Sequence, residues 1–182
     1  QWDRNFFAQG RFRQKYGERL ELMANAKYAR DRMRYLNPDT TLMLIDNTFL
    51  QQETYVSATA QYSPFHFWDI ALAADWQYNT LDSDMTQFAY PRRHHFMGSV
   101  ATAINHKEWR VRGSLLLSEI QDRTHPKGKT EHHKHIERLT PAIFIARLSQ
   151  KAYVPELRAF WKKAFRMPTF NDLYYTDIGN AR

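Results

Sequence analysis

The chain has 182 residues, of which 43% are hydrophobic, 25% are charged and none is cysteine. This composition excludes a disordered or collagen-like chain, disulfide bonds and thiolate metal sites, and the length suits one ordinary domain. The net charge is +7, and the basic residues recur at alternate positions instead of forming one stripe. Because no recognition helix, zinc finger or RNA-binding signature accompanies them, no nucleic-acid partner is predicted.

Alternating polarity predicts strands along most of the chain. Aromatic residues make up 15% of it, and Tyr and Phe favour strands over helices. In Arg19–Tyr28 and Trp68–Asn79, mostly apolar even positions alternate with mostly polar odd positions. Successive strand side chains point to opposite sides, so this period gives each strand an apolar and a polar face. The predicted strands are, in chain order, Phe6–Gln14, Arg19–Tyr28, Thr54–Tyr62, Trp68–Asn79, Phe96–Ile104, Trp109–Leu117, Leu139–Leu148 and Glu156–Phe165.

The predicted connections are alternately short and long. In an antiparallel meander, this pattern places the short turns at one rim and the long loops at the other, as in an outer-membrane barrel. Strands of about ten residues, tilted by about 40°, also suit a bilayer crossing. The predicted fold class is all-β, an antiparallel up-and-down meander of about eight long strands. Short turns are predicted near 16–17, 63–66 and 106–107, a moderate one at 151–155, and long connections at 37–49, 81–93 and 122–135.

A soluble β-sandwich or lipocalin-like barrel also has alternating strands, with the apolar face buried in a core. Two features favour the membrane barrel instead. Apolar faces end in rings such as Trp68, Trp76 and Tyr28, and rings at both ends of a lipid-facing band form interfacial girdles. The same faces contain alanines such as Ala24 and Ala58, which would fill a core poorly.

Membrane helices and export signals are not predicted. The chain has no run of about eighteen apolar residues and no leader in which a basic segment precedes an apolar one. Because it begins with Gln1 rather than Met, we expect a fragment or a processed piece of a longer protein. The missing leader then says nothing about export.

The last part of the chain carries a specific motif. Phe165–Tyr175 reads FRMPTFNDLYY and is followed by TDIGN at Thr176–Asn180. The segment before it, Glu137–Arg166, reads as a strand, a turn and a second strand. Together they resemble the barrel of TonB-dependent outer-membrane receptors, where a Phe-Arg-x-Pro-Ser/Thr-x-x-x-Leu-Tyr run leads to Gly-Asn. The rest of the chain resembles that barrel through its strand pattern alone.

The resemblance implies that residues 1–182 are a partial β-barrel domain, belonging to a large transmembrane barrel of about 22 strands whose plug domain is absent from this chain. It implies the outer membrane of a Gram-negative bacterium, with outer-membrane lipid, a small-molecule nutrient and TonB, acting through the plug, as partners. The implied function is TonB-coupled import of an iron chelate, haem, cobalamin or similar nutrient, without catalytic residues or cofactors. The alternative is a small complete β-barrel or soluble β-domain that acts as a binding module.

The motif is expected to form an ordered loop at the outer rim. Pro168 cannot donate to a β ladder, and Asn171 and Asp172 suit a turn because their side chains accept hydrogen bonds from nearby backbone. The candidate ligand-binding residues of this loop are Arg166, Asn171, Tyr174 and Tyr175.

Histidines at the same rim are further candidates. His94 and His95 stand at a strand entrance, and His132 and His133 belong to the loop THPKGKTEHHKH. In haem receptors of the resembled family, rim histidines serve as ligands. A solvated loop is the favoured interpretation of these residues, because adjacent histidines lack the spacing of a preformed metal site, and no metal is predicted.

Carboxylates on the predicted polar faces suggest structural ion pairs. Glu18, Glu21 and Glu53, with Asp69 and Asp75, fall on different strands, and we expect them to pair with Arg19, Arg11 or Lys27. No hydrolase or phosphate-binding signature accompanies them.

Overall fold

The described part of the chain forms one antiparallel sheet of eight strands. A computed structural model describes residues 2–37, 45–85, 88–126, 130–149 and 155–165. Each strand pairs with the next along the chain, in the order β1 to β8, which confirms the predicted all-β meander. The strands are β1 (Trp2–Tyr16), β2 (Leu20–Asn37), β3 (Ile45–Phe65), β4 (Trp68–Ser83), β5 (Arg92–His106), β6 (Trp109–Thr124), β7 (His132–Arg147) and β8 (Leu157–Lys162).

The strand register sorts the side chains onto two faces, as the alternation predicts. Leu22 lies opposite Ala60, which lies opposite Leu72, and Leu72 lies opposite Val100. These residues define the apolar face of the sheet. Odd-numbered neighbours such as Asp75 point to the other side, which we call the polar face.

Three tight turns join the strands at one end, which we call the short-turn end. They fall at residues 17–19, 66–67 and 107–108, close to their predicted places. Gly17 has φ +63° and Lys107 has φ 52°, and only glycine takes this left-handed geometry without steric cost. The opposite end, towards the connections 38–44, 84–91 and 125–131, is the long-loop end.

The strands continue past their predicted limits at the long-loop end. β2 runs to Asn37 instead of Tyr28, β3 begins at Ile45 instead of Thr54, and β7 begins at His132 instead of Leu139. The predicted long connections are therefore too long. Alternation fades there because polar and apolar residues are mixed on both faces, whereas the backbone ladder needs no apolar face to persist.

The sheet is a single layer with few buried side chains. Among the described residues it is open, because β1 and β8 each pair with one neighbour only. A compact domain normally packs two layers around a core. The buried apolar residues are Ala29, Phe49, Leu81, Phe88, Ile120 and Ala146.

No helix within the described ranges combines the length and the apolar character that a membrane span requires.

Candidate functional site

The apolar face is exposed and carries every tryptophan of the chain. Trp68 and Trp76 of β4, Trp109 of β6 and Trp161 of β8 share this face with Trp2. Between them, large aliphatic and aromatic side chains remain open to the surroundings. Phe12, Leu72 and Leu117 are 58%, 55% and 53% exposed. A continuous apolar surface of this extent marks an interaction surface.

Aromatic rings border this surface at the short-turn end. The Phe65 ring stacks on Phe67 at 5.5 Å and on Trp68 at 6.3 Å between centroids. The Trp68 indole N–H donates to the Thr102 hydroxyl at 2.8 Å. An aromatic side chain whose polar atom is satisfied suits a boundary between an apolar and a wet phase.

A second group of rings borders the surface towards the long-loop end. His94 stacks on Tyr78 with 4.5 Å between centroids, and Phe96 lies 6.3 Å from His94. The Trp76 indole N–H donates to His94 Nδ1 at 3.3 Å. His94 therefore belongs to an aromatic group on the apolar face, away from the polar face. We call the two ring groups the lower girdle (Phe65, Phe67, Trp68) and the upper girdle (Trp76, Tyr78, His94, Phe96).

The spacing of the two girdles sets the height of the apolar band. From Trp68 to Tyr78, β4 takes ten residue steps, or about 33 Å along the strand. A strand tilt of about 40° reduces this length to a height of about 25 Å, the height of the apolar band on transmembrane barrels.

The polar face carries a hydrogen-bonded network of charged side chains. The expected pairing of Glu53 with Lys27 is confirmed, with 3.0 Å between Nζ and Oε1. Glu21 pairs with Arg13 at 2.6 Å rather than with Arg11 or Arg19. Arg13 lies diagonally across the β1–β2 ladder from Glu21 on the same face, two residues from the position directly opposite.

The remaining polar-face groups bond mostly to uncharged partners. Arg11 Nε donates to the Asn25 side chain at 2.9 Å, and Asn25 donates to the Ser57 hydroxyl at 3.1 Å. Asp75 accepts from the Tyr55 hydroxyl, and Asp69 accepts from the Ser63 hydroxyl. This face is therefore polar, and its side chains hydrogen-bond to one another along the sheet.

A buried ion pair lies on the polar face near the long-loop end. Arg93 donates to both oxygens of Asp122, at 2.6 and 2.7 Å, and each side chain is 8% exposed. His95 lies on the same face, and its Nε2 atom is buried and has no hydrogen-bond partner among the described residues. The ion pair is not evident from the sequence, because 29 positions separate its members and only the β5–β6 register brings them together.

An apolar cluster covers the polar face at the long-loop end. Phe49, Leu81 and Phe88 are 9%, 1% and 4% exposed, and the Phe49 and Phe88 rings meet edge to face at 6.1 Å. Phe88 belongs to the connection between β4 and β5, which the Leu81 N–H fastens by donating to the Pro91 carbonyl at 3.1 Å. The connection therefore folds over the polar face.

The predicted histidine pairs are split between the two faces. His94 and His95 are consecutive strand residues, and so are His132 and His133, so each pair points to opposite sides. His133 Nε2 lies 3.4 Å from the Glu131 carboxylate. Within the described ranges no three His, Asp or Glu side chains form a group that could hold a metal ion.

Glu131 is the acidic centre of the histidine loop. His125 Nδ1 donates to it at 2.6 Å, and this hydrogen bond holds the pKa of the Glu131 carboxyl below its usual range. The loop histidines thus have local carboxylate partners. As ligand-binding residues, all four rim histidines stay a prediction.

The predicted ligand-binding residues of the rim motif, Arg166, Asn171, Tyr174 and Tyr175, lie outside the described residues. The described part of the chain ends at Phe165. The centroid of the Phe165 ring lies 5.1 Å from the guanidinium carbon of Arg138. The polar-face and apolar-face assignments therefore stop short of this motif.

No protein-family model matches the chain, and no curated protein matches it.

Proposed function

We propose that the chain is a segment of the wall of a TonB-dependent outer-membrane receptor, which imports a scarce nutrient. The observation that carries the proposal is the apolar face, which spans about 33 Å along β4 between two girdles of aromatic rings and has four of the five tryptophans on or beside this span. At the strand tilt of transmembrane barrels, about 40°, this length corresponds to a band about 25 Å high. A soluble two-layer protein covers such a face with a second layer. Lipid covers it here, because hydrocarbon is the surroundings that this height and these borders fit.

The polar face lines the lumen in this proposal. Its ion pairs and amide bonds satisfy one another along the strands, as between Lys27 and Glu53, so the wall tolerates water or a plug domain against it. In this proposal, the residues of the wall carry out no covalent chemistry. Nutrient capture is likewise proposed for the outer rim, where the resemblance leads us to expect the long loops and the motif from Phe165.

The open edges support a wall that is larger than eight strands. An eight-stranded barrel closes by pairing its first and last strands, whereas β1 and β8 end the described sheet on either side. Unpaired edges are a liability that neighbouring strands remove. The link to TonB itself rests on the resemblance of the motif FRMPTFNDLYY and its flanking residues.

Tryptophan fluorescence tests the membrane placement directly. The full-length protein is reconstituted into vesicles of phosphatidylcholine with or without bromine on the acyl chains. Bromine quenches only rings that reach lipid, so we expect strong quenching by brominated lipid and weak quenching by aqueous iodide. Bromines near the headgroup should quench more than bromines near the bilayer centre, because most tryptophans lie in or near the girdles. Protein that stays in the aqueous phase with iodide-accessible rings would contradict the proposal.

Uptake measurements test the transport function. Cells that depend on the protein for a labelled ferric chelate, haem or cobalamin should lose uptake when TonB is deleted, while surface binding of the label persists. Uptake that does not depend on TonB would refute energy coupling but leave the lipid-facing wall intact.

A further inference from the structure

Three arginines form a basic patch on the apolar face just above the band. Arg30 and Arg32 follow Tyr28 on β2 at the same side of the sheet, and Arg4 lies directly opposite Arg32 on β1. All three side chains are exposed. Cβ atoms of directly opposed residues are about 5 Å apart, so two like charges meet across this ladder at a cost in stability. We call Arg4, Arg30 and Arg32 the arginine patch.

The neighbours of the patch leave its charge uncompensated within the described chain. Arg30 faces Phe6 on one side and Gln52 on the other, and Arg32 faces Leu50 on β3. No described carboxylate forms an ion pair with any of the three. Arg34, two positions further on the same face, differs because its Nε and Nη2 atoms donate to the two carboxylate oxygens of Asp46 at 2.7 and 2.5 Å.

The position of the patch selects the kind of anion. Two residue steps along a tilted strand raise a side chain by about 5 Å, so Arg30 and Arg32 stand about 5 and 10 Å above the Tyr28 ring. The Tyr28 ring packs 6.4 Å from Phe6, at the upper edge of the apolar band. The patch therefore faces outward at the depth of the headgroups, on the side of the long loops.

From this position and charge we infer that the arginine patch binds the phosphate groups of anionic lipid in the outer leaflet. The inference rests on the proposed placement in the outer membrane. Guanidinium groups match phosphate by donating two parallel hydrogen bonds, and neighbouring arginines can share one diphosphorylated headgroup or two single ones. An anion between Arg4 and Arg32 also removes the repulsion across the ladder. The acyl chains then cover Phe6 and Tyr28 below.

A lipid titration tests the inference. The detergent-solubilised full-length protein is titrated with phosphatidic acid, and bound lipid is counted by native mass spectrometry. An arginine near a membrane surface strengthens anionic-lipid binding about fivefold, so replacing all three with serine should weaken phosphatidic acid binding on the order of a hundredfold. Binding of phosphatidylcholine should stay unchanged. The triple replacement with lysine should keep most of the binding, because it keeps the charge.

Arg11→Ser is the matched control, since Arg11 lies on β1 but on the polar face, where it donates to Asn25. It should bind phosphatidic acid like the unmodified protein. Equal binding by the triple serine variant, or an equal loss in Arg11→Ser, would overturn the inference. Displacement of the lipid by glycerol phosphate at similar concentration would also overturn it, because the patch would then be a site for free anions. The quenching measurement with brominated phosphatidylcholine separates the two proposals. Quenching of the tryptophans, together with no preference for phosphatidic acid over phosphatidylcholine, would reject the arginine patch alone. Absence of quenching would reject the membrane placement.

Discussion

The two halves of the sheet differ in which face is apolar. Near the short turns, the outward face holds Leu72 and Val100, and the opposite face holds paired polar groups such as Asp75. Near the long connections, the outward face carries the arginine patch, while the opposite face buries Leu81 and Phe88. β4 thus changes its apolar face along its length, since Leu72 is on the outward face and Leu81 is on the opposite face.

The proposed placement accounts for this reversal. In that placement the outward face meets hydrocarbon within the bilayer, and it meets headgroups and water above the bilayer. The apolar cluster of Phe49, Leu81 and Phe88 packs one residue of the β4–β5 connection, Phe88, against the sheet. Three substitutions test this difference between the two halves of the sheet.

The largest effect is expected from the buried ion pair of the upper half. Asp122→Ala leaves the Arg93 guanidinium buried without its bidentate partner, which should lower the free energy of unfolding by about 3–5 kcal/mol. Unfolding of the protein in vesicles with guanidinium chloride measures this loss of unfolding free energy.

Two variants control this measurement. The double replacement Arg93→Met with Asp122→Leu should recover most of the stability, because it removes both charges. Asp46→Ala breaks the exposed pair with Arg34 and should cost far less. A loss in Asp122→Ala no larger than in Asp46→Ala would show that the Arg93–Asp122 pair contributes little.

A charge in the apolar band of the lower half should have the next largest effect. Leu72→Arg places a guanidinium near the middle of the bilayer, at a cost of about 2–4 kcal/mol. Unfolding in vesicles, together with the yield of folded protein in the outer membrane, reports this cost.

Gln61→Arg is the comparison for Leu72→Arg, since Gln61 is exposed on the polar face, opposite Glu21 and Ala71. There the new charge meets water or a carboxylate, and stability should hardly change. If both variants lose the same stability, the two faces meet the same surroundings and the lipid-facing assignment is wrong.

The smallest effect concerns acid sensitivity at the tips of β2 and β3. The hydrogen bond from Arg34 lowers the pKa of the Asp46 carboxyl, so its stabilisation is present above the unfolded pKa and is lost as pH falls through the folded value. Amide hydrogen exchange of the paired strand tips, corrected for intrinsic rates, should therefore lose protection in this acidic window. In Arg34→Gln that pH dependence should disappear, and its persistence would assign it to another carboxyl.

Much of the lower half follows from the sequence, because apolar and polar residues alternate regularly there. The pairing of Leu22 with Ala60 and of Leu72 with Val100 needs only period two and short turns of known length. Register then follows from the turn positions. The resemblance to a receptor family, the nutrient and TonB stay predictions.

The upper half is harder to predict, because polar and apolar residues do not alternate regularly there. The sequence analysis placed 37–49 in a loop, although Asp46 and Arg34 bind each other across a continuing ladder. It also treated His94 and His95 as one pair, whereas strand geometry sends them to opposite faces. Partners such as Arg93 and Asp122 become visible only once the register is known, because nothing local in the chain joins them.

The pairing of every strand with its predecessor bears on how the wall assembles. Each new strand needs only a short turn or one connection to reach its partner, so little chain entropy is lost at any step, and contact order stays low. The sheet can grow by adding one hairpin at a time to an existing edge, and the β3–β4 hairpin contains a register shift between Tyr62 and Phe65. Until the last hairpin docks, a row of backbone donors and acceptors stays open on the growing edge, and this edge is where an assembly factor would have to hold the chain.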